Sequence, residues 1–393
     1  MAEWLSIIGI GEDGVNGLSM TSLNALRLAE AVFGGPRHLA MIAHPDRREW
    51  PVPFSIEPVL AMRGRPVAVL TSGDPFWYGA GGALAQVLAR DEWRAYPGIS
   101  VFSLIAARMG WRIEETLCLG LHAAPIPRLR QELVPGRRAI LTLRDGAAVR
   151  ELVTWLSAEG FGDSILTVME YLGGPRERIR EARADELGFD DIGDLVAVAL
   201  SVRGGGRVIP CAPGLPDDCF AHDGQITKRP VRALALSALA PRPGELLWDI
   251  GAGAGSVGIE WLLSHPSTRC IGIERDPARA ERAAGNAARL GMDRLEIRQG
   301  SAMDLLPDLP DPDAVFIGGG ADDALMGALW LRLPAGCRIV AHAVTLETEA
   351  LLTAWQAAKG GSLLRIDLSE AAPIGGRRGW KSSYPVTQWR VLR

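Results

Sequence analysis

The chain predicts an α/β protein of two unlike domains, and three observations carry that prediction. Short apolar runs with strand character alternate with helical patterns along nearly the whole length, the rhythm of sheets covered by helices. The rhythm breaks between Arg203 and Gln225, where glycines, prolines and acids cluster without a sustained apolar period. No internal repeat relates the two sides of the break, so two different folds are expected. With 393 residues, 48% of them hydrophobic, the chain has apolar material for two cores. We place a first domain at residues 1–205, a linker at 206–222 and a second domain at 223–393.

Composition removes several function classes. A net charge of −4 with no run of lysine or arginine argues against a nucleic-acid partner. Cys118, Cys211, Cys219, Cys270 and Cys337 are an odd count with no C-x-x-C pair, as expected of free thiols in a reducing compartment and not of a metal site. No apolar run approaches a membrane span, and the start MAEWLSIIGIG carries an acid and reaches glycine too early for a signal peptide. A cytoplasmic protein without a membrane partner is expected.

In the first half, Leu5 to Ile10 reads as a strand running into Gly9, Gly11 and Gly14, spaced G-x-G-x-x-G. A dinucleotide site needs a helix at once, and Gly17, Leu18 and Ser19 intervene. Val67 to Thr71 is a second strand, entering SGDPFWYGAGG. There Gly73 and Pro75 set a tight turn that exposes backbone groups, and Asp74 offers a carboxylate to a cationic ligand. Tyr96-Pro97-Gly98-Ile99-Ser100 precedes a helix from Val101 to Met109. Ala139 to Leu143, Ile165 to Met169 and Leu195 to Val202 are further strands. Arg176, Arg178 and Arg180 alternate with other residues and are candidates to bind an acidic ligand, with a plain exposed strand face as the other reading. His38, His44 and His265 are expected at the surface, and Trp77 in a core, with a pocket rim as its alternative.

The second half reads more cleanly. Val231 to Leu239 is a helix stopped by Pro241, Pro243 and Gly244. Strands follow at residues 245–249, 270–274, 295–299, 314–317 and 338–343. The clearest helix, Pro277 to Leu290, opens on a proline after Asp276 and closes at Gly291. Ser362 to Leu368 and Pro385 to Leu392 have no long helix between them and are expected to pair as an antiparallel hairpin.

Leu246 to Glu274 is the most informative stretch. An apolar run ends in Asp249, glycines follow at 251, 253 and 255, a helical pattern begins, and a second apolar run stops at Glu274. Glycines let the backbone approach a ligand, a helix start presents free N–H groups, and an acid after the second strand accepts both hydroxyls of a ribose. Gly253, Gly255 and Gly258 also fit the dinucleotide pattern, but that reading leaves Asp249 without a role. The pattern D-x-G-x-G-x-G, from Asp249 to Gly255, resembles the first motif of class I S-adenosylmethionine (SAM) methyltransferases.

By that resemblance Asp249, Gly251, Ala252, Gly253, Ala254 and Gly255 form the loop around the methionine end of SAM. Glu274 takes the ribose, Ser301 and Ala302 border the adenine, and Thr227 is a further contact. Thr227 equally suits a helix N-cap, since it stands just before Pro230 and an amphipathic run. Ile317-Gly318-Gly319-Gly320 lacks the proline pair and aromatic that base-modifying relatives use to hold a flipped base, which again counts against nucleic acid.

In the first half, GIGEDG, SGDPFWYG, YPGIS and VMEYLGGPRERI, in this order, are similar to the tetrapyrrole methylase family. The resemblance implies a two-lobed fold holding SAM between its lobes. Gly9, Ile10, Gly11, Ser72, Gly73, Asp74, Pro75, Ile99 and Ser100 would line the cofactor, with backbone contacts from Tyr171 and Leu172. A two-lobed tetrapyrrole methylase fold followed by a Rossmann-like class I methyltransferase sheet resembles the decarboxylating precorrin methyltransferases of cobalamin biosynthesis. It implies a bifunctional enzyme with one SAM per domain, no metal, a polycarboxylate tetrapyrrole substrate and a homo-oligomeric state. The implied reaction is methylation of precorrin-6B at C5 and C15, with loss of the C12 acetate carboxyl, through precorrin-7 to precorrin-8. Relatives often carry glycine and arginine after the residue matching His122; Ala123 and Ala124 stand here, which weakens a substrate role for His122.

Methyl transfer from a sulfonium is an in-line displacement, so positioning is the main task and no activated serine, cysteine or lysine is required. A conjugated ring takes up the electrons released by decarboxylation, so the reaction demands no metal. Arginines near the sites are candidates for the substrate carboxylates. Arg377, Arg378 and Lys381 cluster beside Trp380, whose ring suits a flat macrocycle; a solvated hairpin loop is the other reading. The alternatives to the implied reaction are fused SAM methyltransferases acting on another tetrapyrrole or small molecule, and a SAM-binding regulatory protein.

Overall fold

The structure is a computed structural model that describes residues 3–393. The chain separates into two compact units, one holding the residues through Ala124 together with Leu133–Arg207, the other holding Pro125–Glu132 with Val208–Arg393.

The first unit contains two five-stranded sheets. The strands of the first are β1 (Leu5–Ile10), β2 (Ala31–Gly34), β3 (Arg47–Glu49), β4 (Val67–Ser72) and β5 (Trp93–Tyr96). They are all parallel, in the order β3-β2-β4-β1-β5. Successive side chains point to opposite faces, and both faces are covered. Ile7, Phe33, Val67 and Val69 enter one core, and Ile8, Ile10, Ala68 and Leu70 the other. The second sheet comprises β6 (Leu117–Gly120), β7 (Arg138–Thr142), β8 (Ile165–Glu170), β9 (Arg178–Arg183) and β10 (Val196–Ser201). Its order is β6-β7-β10-β8-β9, with antiparallel pairs on both sides of β10.

The second unit is built on β11 (Leu246–Ile250), β12 (Arg269–Glu274), β13 (Leu295–Gln299), β14 (Ala314–Ile317), β15 (Arg338–Ala343), β16 (Ser362–Ile366) and, after a separate hairpin of β17 (Ser369–Ile374) and β18 (Arg377–Ser382), β19 (Val386–Leu392). The seven-stranded sheet runs β13-β12-β11-β14-β15-β19-β16, parallel as far as β15. The expected closing hairpin is the antiparallel pair β16–β19, and the sequence reading missed the exposed hairpin inserted between its strands. The order reverses direction on either side of β11, which makes the carboxyl end of that strand the topological switch point where ligands bind.

The stretch expected to be a linker is not free. Ile209, Leu215, Cys219 and Phe220 are buried in the second unit's core. The fully buried Arg232 donates to Glu260 and to the carbonyls of Leu215 and Thr227, and Glu260 also accepts from the N–H groups of Gly214 and Leu215. The glycines and prolines concealed a packed, irregular segment. Thr227 does not cap the following helix; Lys228 stands at that position.

Among the described residues no helix is long and apolar enough to cross a membrane, and no group of three or more histidine, cysteine or acidic side chains has metal-binding spacing.

Candidate active sites

In the first unit the carboxyl ends of β1 and β4 and the turn at Gly98 are locked by backbone contact. The Gly73 N–H donates to Ile10 O at 3.1 Å, and the Gly98 N–H donates to Gly73 O at the same distance. A Cβ on Gly9 would lie 1.7 Å from Gly73 O, so only glycine permits this approach. Asp74 accepts the Phe76 N–H at 2.8 Å, closing the tight turn, and Gly73 holds φ at +55°. Ser100 caps the helix Val101–Met109 by accepting the Ser103 N–H.

These turns border a cavity of about 500 Å³. Of the residues singled out in the sequence, Ile10, Gly11, Ser72, Gly73, Asp74, Ile99, Ser100 and Leu172 lie on its wall. Gly9, Pro75 and Tyr171 do not line it. Tyr171 sits at φ +49° with the Arg176 guanidinium 3.9 Å over its ring. Trp77 is on the wall, 40% exposed and stacked on Phe102, so it is a rim residue and not the core aromatic expected.

In the second unit, three left-handed glycines, Gly251, Gly253 and Gly255, turn the chain from β11 into the helix Ser256–Leu263. Asp249 lies beneath this loop, 1% exposed, and accepts the Gly258 N–H at 2.9 Å. Burial pushes its carboxyl up to about 7. Glu274, 7% exposed, accepts from Gly253 N–H at 2.8 Å through one oxygen and from Asp276 N–H at 2.9 Å through the other. Each oxygen keeps a lone pair for a ribose hydroxyl. A Cβ on Gly253 would meet nothing closer than 3.9 Å, so the loop faces open space. The donor set and the open glycine face suit SAM. Asn286, buried in the next helix, ties Ala221 to Ala254, and Arg279 and Arg282 hold Asp223. The lead-in segment that carries Thr227 is thereby anchored beside the loop.

Two family descriptions match the chain. Residues 5–188 match the tetrapyrrole (corrin/porphyrin) methylases, and residues 218–393 match the precorrin methyltransferase domain. A Sinorhizobium protein named precorrin-6Y C(5,15)-methyltransferase [decarboxylating] is 46% identical over 99% of this chain and 96% of its own. The chain belongs to that family. A Mycobacterium tuberculosis protein of the same name is 38% identical over 98% of this chain and 99% of its own. A crystal structure described as the C-terminal domain of precorrin-6Y C5,15-methyltransferase from Rhodobacter capsulatus is 53% identical, covering 47% of this chain and all of its own at a TM-score of 0.46.

The remaining residues singled out in the sequence fall in several places. Ser301 and Ala302 follow β13, where the Gly300 N–H donates to Glu274 O. Arg377, Arg378 and Lys381 lie exposed on β18 beside Trp380, itself 77% exposed, in the hairpin that stands apart from the main sheet. Arg178 and Arg180 are not a plain surface face, since both pair with the buried Glu170 and with Asp191. His38 is not a surface histidine but part of the cavity wall, with Glu12 and Arg37. Glu12 sits inside the GIGEDG motif and Arg37 and His38 follow β2, a four-residue strand with no periodicity to announce it.

Proposed function

We propose that this chain methylates a precorrin macrocycle at two ring carbons with SAM and removes carbon dioxide from an acetate side chain. In this reading the first domain methylates C5, and the second methylates C15 and decarboxylates the C12 acetate. The single observation that supports it best is the coexistence of two separate glycine-turn sites at the carboxyl ends of parallel strands in two sheets, in a chain similar over 99% of its length to a relative bearing that name. SAM supplies an electrophilic methyl group at each site. The chain's own residues bind and orient: Glu274 and the Gly251–Gly255 loop at one site, and the Gly9–Gly73–Gly98 cradle with the Asp74 turn at the other.

Five free cysteines accord with a cytoplasmic setting. The test is mass spectrometry of products after incubation with SAM and precorrin-6B. Gain of two methyl groups and loss of one carbon dioxide is expected, and a product lacking either change refutes the reading.

A further inference from the structure

The cavity of the first unit holds a polar cluster of which the cofactor assignment uses only Ser72. It is assembled from the carboxyl ends of three neighbouring strands: Glu12 follows β1, Arg37 and His38 follow β2, and Ser72 ends β4. Arg37 forms an ion pair with Glu12, whose side chain is 9% exposed. Its other terminal nitrogen lies 2.7 Å from His38 Nε2 and 2.8 Å from Ser72 Oγ. Ser72 Oγ is in turn 3.0 Å from His38 Nε2. A guanidinium only donates, so His38 Nε2 must accept and the imidazole proton must sit on Nδ1. His38 stays neutral because burial, and then Arg37, lower it to about 4.

Arg37 is therefore fixed by three acceptors, which use three of its five N–H donors. We propose that Arg37 is the carboxylate anchor of this cavity, positioned by Glu12, His38 and Ser72 to hold a side-chain carboxylate of the tetrapyrrole. The inference rests on the function proposed above for the substrate's identity. Arg144 is the other arginine on the wall, and it is committed to Asp145 and Glu151 with most of its side chain in solvent. The ion pair with Glu12 has a purpose in this arrangement. An uncompensated guanidinium would repel a sulfonium cofactor in the same cavity, whereas a paired one keeps directional N–H donors without net charge. His38 and Ser72 are positioning residues, setting the plane of the guanidinium.

The test uses the full-length chain and the variants Arg37→Gln, His38→Ala and His38→Gln. Arg37→Gln is expected to raise KM for the first-domain methylation roughly 10- to 150-fold, the value of a lost charge-assisted pair, with a smaller change in kcat. Calorimetry should still show S-adenosylhomocysteine bound at both sites with unchanged affinity. His38→Ala should move KM in the same direction, and His38→Gln, which restores an acceptor, should recover part of it. Absorbance titration with uroporphyrin, an octacarboxylate tetrapyrrole, should lose one class of site in Arg37→Gln. If uroporphyrin binding depends on Arg37 but precorrin-6B is not methylated, the proposed reaction fails and the anchor stands. If Arg37→Gln abolishes one S-adenosylhomocysteine site while KM holds, the carboxylate recognised is the cofactor's and the proposal is overturned. It is overturned equally if neither tetrapyrrole binding nor KM changes.

Discussion

Glu274 and Gly253 are joined by a hydrogen bond of 2.8 Å, in which the glycine N–H donates to the carboxylate that ends the second strand of the C-terminal sheet. The same carboxylate takes the Asp276 N–H at 2.9 Å, so one side chain fixes both the glycine loop and the start of the following helix. Its proposed contact with a ribose adds a third duty to two already visible.

Replacing Glu274 with alanine removes these acceptors together. Hydrogen bonds to a charged group are worth about 1.5–3 kcal/mol each. Affinity for S-adenosylhomocysteine at the second site should fall by at least about tenfold, read by calorimetry. NAD should not bind, and tight NAD binding that depends on Glu274 would overturn the cofactor class.

Gly9→Ala forces a Cβ against the carbonyl of Gly73, a clash with backbone that no rotamer relieves. Wild-type protein should titrate as two sites for S-adenosylhomocysteine. The variant should keep the second-unit site and lose the other, and its products should be singly methylated and decarboxylated. A variant that still methylates twice, or that loses decarboxylation alone, refutes the proposed division of chemistry.

Asp249 gives a pH dependence whose sign is opposite to that of most carboxylates. Its folded value of about 7 lies above the unfolded reference of about 3.9. Between these values the folded state holds the extra proton, so this group's contribution is fully present below the unfolded value and is lost as pH rises through about 7. Asp249→Asn keeps an acceptor for Gly258 and does not titrate. Thermal unfolding should show the variant gaining on wild type as pH rises from about 4 to about 7, by up to a few kcal/mol. A pH-independent difference would rule out the buried-carboxyl account.

Arg232 tests the packed segment before the second domain. It is fully buried, and its removal leaves the buried Glu260 without its counter-charge and two carbonyls without this donor. Arg232→Ala should destabilise the second unit by about 3–5 kcal/mol in denaturant unfolding. A loss under 1 kcal/mol would mean that water replaces the guanidinium without cost.

The two halves were unequally legible, for physical reasons. In the second half, β13, β14 and β15 lie at the residues expected. Of these, β14 and β15 are buried, mostly apolar runs, β13 at the sheet edge alternates apolar Leu295 and Ile297 with polar residues, and proline and glycine mark the helix ends between them. In the first half, β2, β3, β5 and β6 were missed. Each is only three or four residues long, and the arginines of β9 look like a solvent face until Glu170 is seen beneath them. The hairpin β17–β18 was missed because neither strand is buried enough to carry a pattern.

The sequence by itself determined the α/β class, the existence of two unlike domains and the two glycine turns with their acids. These are local properties, set by strand periodicity, by left-handed backbone that only glycine adopts readily, and by an acid at a fixed distance from a turn. Tertiary structure alone decided which distant side chains meet. It put Asp249 under the loop and Glu274 against it, packed the apparent linker into a core, and carried Pro125–Glu132 into the second unit. It also gathered Glu12, Arg37, His38 and Ser72 at one cavity wall. Such meetings depend on strand order, and strand order is fixed by the burial of whole faces, which no short stretch of sequence records.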